Sequence, residues 1–220
     1  MRHARRSSHS LGRSPRRGTR RDGIPSHASA HDTVEDIFRV SFTGVKYNEM
    51  GYYYLFDGRW EAAPTADLYA AYPAADRRRP ITVGKDGSDY EGTKFPTTIG
   101  AEDVHVIRFG EVVLTKAEAL ARLNRLGEAA TEYKKIRVRA GLAPHVLGTD
   151  VTTQAQVLDA IWTPRRLELA LEGDRFPALV RTGQAMAVLG LPTNRSFQLL
   201  YPVPSRELIV APGLTQNPGY

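Results

Sequence analysis

Two carboxylates four residues apart, Glu168 and Glu172, lie in the stretch RRLELALEGDRFPALVRTG at residues 165–183, and such a pair could serve general acid/base chemistry. On one helical face, however, a Glu pair at that spacing is mildly repulsive, and Arg165 and Arg175 stand three residues before and after it. The four residues read better as a structural ion-pair ladder on one face, with Leu167 and Leu171 on another. Asp86, Asp89 and Glu91 could offer oxygen ligands to calcium, but their spacing matches no defined calcium loop, and a turn with solvated carboxylates is the better reading. His3, His9, His27 and His31 occur at irregular intervals and the chain has no cysteine, so solvated side chains outweigh a zinc site. No Gly-rich phosphate loop, metal-ligand cluster or nucleophile motif appears. The sequence is therefore read as non-catalytic, with no catalytic residue, metal or cofactor assigned.

What remains is non-covalent chemistry, and its material is aromatic. Tyr47, Tyr52, Tyr53, Tyr54, Phe56, Trp60, Tyr69 and Tyr72 crowd into a stretch rich in Gly, Asp and Pro, which reads as loop rather than regular helix. Two readings stay open: a face that stacks on a ligand, or rings that fill a core beneath long loops. Tyr53, Tyr54 and Trp60 are the candidate ligand contacts.

The elements that must position these residues sit in a chain of 220 residues with a net charge of +6. Residues 1–30 hold eight arginines and one aspartate, a net +7, so residues 31–220 carry −1 and give no overall electrostatic case for binding nucleic acid. The 1–30 segment, mostly Arg, Ser, His and Gly, cannot offset its ordering entropy by burial and is expected to be a disordered tail before a domain at 31–220. Three readings compete for it. It has the charged start of a secretory signal without the apolar core, and it could be a basic nucleic-acid arm, though one lacking interleaved aromatics. An artefactual start upstream of a truncated reading frame is favoured over both. Without cysteine there is no disulfide, thiolate nucleophile or lipid-bearing cysteine. No apolar run is long enough for a transmembrane helix.

Alternation of Phe38, Val40 and Phe42 with polar residues predicts a strand whose apolar side chains share one face. The polar stretch from Asp76 predicts connecting loops, with Lys94 and Phe95 extended before a proline. Spacings of three and four predict a helix over 106–126 ended by Gly127, then a second over 128–140 that buries Ala129, Tyr133 and Ile136 and ends at Gly141. Joined by one glycine, they make a helical hairpin of tetratricopeptide flavour. One such hairpin needs neighbours to cover its faces, so an incomplete fold is expected. Thr153 and Gln156 form a capping box for the next helix, and Pro164 predicts a kink or break in it. Asp174 should cap a short helix with Pro177 in its first turn. Asn194-Arg195-Ser196 matches a glycosylation acceptor, a weak three-residue pattern.

In this order, IRFGEVVLTKAEALARLNRLGEA, KKIRVRAGL, RRLELALEGDRFPALVRTG and YPVPSRELIVAPGLTQNPGY resemble the C-terminal half of the SusD/RagB family of outer-membrane nutrient-binding lipoproteins. EDIFRVSFT extends the similarity towards residue 35. The resemblance implies a mainly α, tetratricopeptide-like fold without catalytic activity. It implies capture of oligosaccharide or another nutrient on the outward face of the outer membrane, and a TonB-dependent, SusC-like β-barrel transporter as partner. Ring stacking on apolar sugar faces would be the physical basis, with Tyr53, Tyr54 and Trp60 as contacts that no family motif fixes. The chain departs from the family in the missing lipidated cysteine, the missing first half, and Thr163-Pro164 where helix-compatible residues are usual. The alternative is a helical scaffold of the transporter complex that binds protein alone.

Overall fold

The computed structural model describes residues 36–220. The readings made for the 1–30 segment and for His3, His9, His27 and His31 fall outside them. In chain order the described elements are β1 (Asp36–Val40), α1 (Met50–Tyr54), α2 (Ala66–Ala71), α3 (Arg79–Thr82), β2 (Val83–Asp86), β3 (Asp89–Gly92), β4 (Val104–Arg108), α4 (Phe109–Arg122), α5 (Leu126–Arg139), α6 (Gln154–Glu168), α7 (Arg175–Arg181), α8 (Ala185–Val188), a 3-10 helix (Thr193–Leu199) and α9 (Ser205–Val210). The fold is mainly α, as expected. Its strands form two antiparallel pairs, β1 with β4 and β2 with β3.

The main core lies where α4, α5 and α6 meet. Leu114, Ala117 and Ala121 of α4, Ala129 and Tyr133 of α5, and Val157 and Ile161 of α6 are fully buried there. Each large apolar side chain contributes about 1.5–3 kcal/mol by leaving water, and the alanines let the hairpin close tightly. A second, smaller cluster joins Tyr72, Val83 and Leu167, with Tyr69 and Tyr90 packed against it. Tyr72 is thus core, its hydroxyl donating to the Leu167 carbonyl at 2.7 Å.

Several boundaries differ from the sequence reading. The helix expected over 106–126 begins at Phe109, because Val104–Arg108 pairs with β1 as a strand. Gly127 does not end it and lies inside α5. The turn is made by Asn124 at φ 60°, whose N–H donates to the Ala121 carbonyl while that of Arg125 donates to Leu120. This is a Schellman cap, and asparagine tolerates its left-handed position. Gly141 closes α5 with the same pattern. The capping box of Thr153 and Gln156 is present, but α6 is unbroken across Pro164. The ring removes one backbone donor, and burial of Ile161 and Leu167 on either side holds the helix together. In β1 the register shifts between Asp36 and Arg39, so its apolar residues do not keep to one face, and Ile37, Phe38 and Val40 are exposed.

The loops expected in the aromatic segment are partly helical: Tyr52, Tyr53 and Tyr54 lie on α1 and Tyr69 on α2. Asp86 and Asp89 flank the turn of the β2–β3 hairpin, and Glu91 instead accepts the Phe56 N–H at 2.9 Å. At the C-terminus, the Gln216 side-chain amide pairs with both backbone groups of Val203 at 2.7 and 2.9 Å. Asn217 reaches the Tyr201 carbonyl, and Tyr220 packs edge-on to Phe197. The terminal QNPGY therefore fastens itself to the preceding loop.

Candidate functional site

α1 and the turn after it gather rings on the surface. Trp60 is 38% exposed and has φ 47°, a left-handed conformation that a bulky side chain adopts only when its surroundings hold it there. Two contacts do so: its Nε1–H donates to the Tyr90 carbonyl at 2.8 Å, and Phe56 meets it edge-on at 5.1 Å. Tyr53 is half-buried, with Tyr52 edge-on and the Arg59 guanidinium over its ring, both at 5.9 Å. A hydrogen bond with the Glu49 carboxylate pushes its phenol pKa up. Tyr54 stacks on Phe95 at 6.4 Å, so one of its ring faces is already covered. A second group lies beside the β2–β3 hairpin, where Tyr69 and Tyr90 meet at 5.3 Å under the Lys85 ammonium.

The charged stretch at residues 165–183 takes a different shape from the expected ladder. α6 ends at Glu168, and the chain turns through Leu171 at φ 65° and Gly173 at φ 81°. Glu168 and Glu172 therefore do not share a helical face, and their partners come from far away in sequence. The Glu168 carboxylate, 1% exposed, bonds Arg78, Arg108 and Arg139. Glu172 bonds Lys94 and Arg108. Lys94 and Arg108 also donate to the Glu168 carbonyl, and Lys94 donates to that of Ala170, so two buried cations satisfy the carbonyl end of α6. Asp76 secures Arg78 through bonds of 2.7 and 3.0 Å. Arg165 turns instead to Asp174 at 2.6 Å and Glu111 at 3.2 Å. Asp174 precedes α7 as expected, but its carboxylate is spent on Arg165 and makes no cap bond.

This arrangement is structural. Burial would raise the Glu168 pKa, but the Arg108, Arg139 and Arg78 guanidiniums pull it well below the usual carboxylate range. Glu172 is lowered in the same way by Lys94 and Arg108 against its own burial. A general acid needs the opposite shift, so neither residue can hold a proton near neutral pH. Burial pushes Lys94 down, with Glu172 opposing. Sequence reasoning missed Asp76, Arg78, Lys94, Arg108 and Arg139. The usable signal was Gly110, two residues after Arg108: a Cβ there would lie 2.9 Å from Arg108 Nη1 and 3.2 Å from Glu168 Oε1. Among the described residues no group of three or more His, Asp or Glu is placed to hold a metal, and no helix is long and apolar enough to cross a membrane.

Residues 87–196, half of the chain, match the model of the SusD family. The chain is 34% identical over 142 residues to SusD-like protein P38 of Formosa agariphila, an alignment covering 60% of this chain and 28% of that protein. Among solved structures, it superposes on a SusD superfamily protein from Parabacteroides distasonis with a TM-score of 0.65 at 24% identity, covering 84% of this chain and 50% of the other. Surface glycan-binding protein A from Bacteroides thetaiotaomicron gives a TM-score of 0.66 at 21% identity, covering 84% and 52%. The chain thus spans about half the length of these solved structures and less of the curated relative. With the helical hairpin of α4 and α5, all of α6 and the turn after it inside the residues that match the family model, this chain belongs to the SusD family.

Proposed function

We propose that this chain is part of a surface protein that captures glycan without turning it over. It would act on the outward side of the outer membrane and pass its ligand to a TonB-dependent β-barrel transporter. The observation that carries the reading is the exposed aromatic array on α1 and its following turn, built around Trp60 in a strained backbone conformation. Rigid aromatic faces beside polar groups suit the apolar faces and hydroxyls of a pyranose. The SusD family match and the glycan-binding neighbour support the same ligand class. Trp60 and Tyr53 are the principal contacts, and Tyr54, half covered by Phe95, supports them.

Isothermal titration of the chain against a panel of polysaccharides tests this. Trp60→Ala should weaken binding by about tenfold or more, as loss of a central aromatic contact does, and Tyr54→Ala should weaken it less. Unchanged affinity in Trp60→Ala would remove this segment from the site. Co-purification with a β-barrel transporter, unaffected by any sugar and without glycan binding, would favour the protein scaffold instead.

A further inference from the structure

The aromatic pair beside the β2–β3 hairpin carries positive charge. Lys85 and Tyr90 are cross-strand partners, so their side chains leave the same face of the hairpin. That face covers the smaller core cluster, to which Val83 belongs and against which Tyr69 and Tyr90 pack. The Lys85 ammonium stands 5.5 Å from both ring centroids, and the Arg79 guanidinium lies 5.2 Å from that of Tyr69. Attraction to the ring quadrupole holds a cation in place without neutralising it. Among the described residues, neither Lys85 nor Arg79 forms an ion pair.

The carboxylates of the surrounding elements are turned away or engaged. Gly84 pairs with Glu91 and Asp86 with Asp89, so these three acidic side chains occupy the opposite face of the hairpin. Glu91 accepts the Phe56 N–H there at 2.9 Å. Asp76 is buried and held by Arg78 at 2.7 and 3.0 Å. Asp67 of α2 is paired with Arg166, and Glu61 with Arg59. The Lys85 face therefore offers two cations on an aromatic floor. It is continuous with the array around α1, because Trp60 Nε1–H donates to the Tyr90 carbonyl at 2.8 Å. Apolar sugar faces suit the ring of Trp60, whereas two cations without counter-charges call for anionic oxygens. We propose that Lys85 and Arg79 form an anion subsite for a charged glycan that also stacks at Trp60, receiving the carboxylate of a uronate or a sulfate ester. Both cations approach the one ring of Tyr69, so a short stretch of ligand meets both. The proposal rests on the glycan-capture reading and adds to it the charge of the ligand.

The test is isothermal titration of the full chain with two matched pairs of glycans. Polygalacturonate is compared with its neutral methyl ester, and a carrageenan with its desulfated form. In at least one pair the anionic member should bind about tenfold more tightly than its neutral counterpart, and the advantage should shrink as salt is raised. The responding pair identifies the anion as carboxylate or sulfate. The double variant Lys85→Gln, Arg79→Gln should lose that advantage, and Lys85→Arg, Arg79→Lys should keep most of it, because charge rather than shape is read. Equal affinity for the charged and neutral members of both pairs would overturn the subsite, as would a glutamine double variant that keeps the full preference. If the neutral members bind in that case, glycan capture stands and the anion subsite alone is wrong. If no member of either pair binds, both readings fall. Should the glutamine double variant fail to fold, the comparison of charged with neutral glycan on the unaltered chain decides the outcome.

Discussion

Replacing Glu168 by glutamine removes one negative charge from between three guanidiniums while keeping the side chain's shape. The carboxylate is 1% exposed and binds Arg78 at 3.1 Å, Arg108 and Arg139. Breaking a buried ion pair by deleting one partner costs about 3–5 kcal/mol. The lower end applies here, because Arg78 keeps Asp76 at 2.7 Å, Arg108 keeps Glu172 at 2.8 Å, and Arg139 is 39% exposed and reaches water. A loss of about 3 kcal/mol is a large part of a typical domain stability of roughly 5–15 kcal/mol, and it should lower Tm by about 6–12 °C in a chain of this size. The pH dependence supplies a second, sharper reading. The folded pKa of Glu168 lies well below the ordinary carboxylate value of 4.5, so the stability it contributes is fully present above about pH 5 and is lost as pH falls from there towards the folded pKa. At pH 3 the gap between parent and Glu168→Gln should have shrunk by about 2 kcal/mol, at 1.36 kcal/mol per unit. Urea unfolding followed by circular dichroism at pH 7 and pH 3 measures both. A loss under about 1 kcal/mol at pH 7, or an equal gap at the two pH values, would refute the account of Glu168 as the charge centre of the fold.

Gly110→Ala should destabilise the chain by about 1–3 kcal/mol although alanine is the better helix former, because its Cβ would lie 2.9 Å from Arg108 Nη1; thermal unfolding checks the sign. Asn124→Ala should cost about 1 kcal/mol at φ 60°, whereas Asn124→Gly should be neutral or slightly stabilising, a contrast visible in parallel denaturant curves. Burial raises the pKa of Glu118, but hydrogen bonds from Arg181 and Arg122 bring it down to about 2. Its carboxyl carbon signal should therefore stay in the ionised form to well below pH 4, and Arg181→Ala should move the titration upward. Gln216→Ala should abolish hydrogen-exchange protection of the Val203 N–H while leaving α4 to α6 protected, since the bonds lost are confined to the C-terminal loop.

Local, periodic signals determined the helical part of this protein from sequence. The burial of Ala129, Tyr133 and Ile136, the capping box at Thr153 and the Gly141 cap all arise within a turn or two of chain, and the structure has each of them. The same reasoning overran where tertiary contacts compete with propensity. Val106 and Ile107 read as the start of a helix, yet both lie in β4, where Ile107 pairs with Phe38 of β1. Gly127 looked like a stop, but the backbone already turns at Asn124. At Pro164 the rule for an isolated helix gave way to burial on both sides of the ring.

The charged stretch at residues 165–183 shows the division most clearly. From sequence its charges were legible as structural rather than catalytic, and the depressed pKa values of Glu168 and Glu172 agree. Their partners were not legible, because Arg78, Lys94 and Arg108 are 60 or more residues away and nothing in a local spacing encodes a pairing over that distance. The candidate site divides in the same way. The sequence determined that aromatic residues concentrate between Tyr47 and Tyr72. Only tertiary packing decided that Tyr72 serves the core, that Tyr54 leans on Phe95 and that Trp60 stays at the surface. Ring type is written in the chain, whereas exposure depends on what the rest of the chain places against each ring.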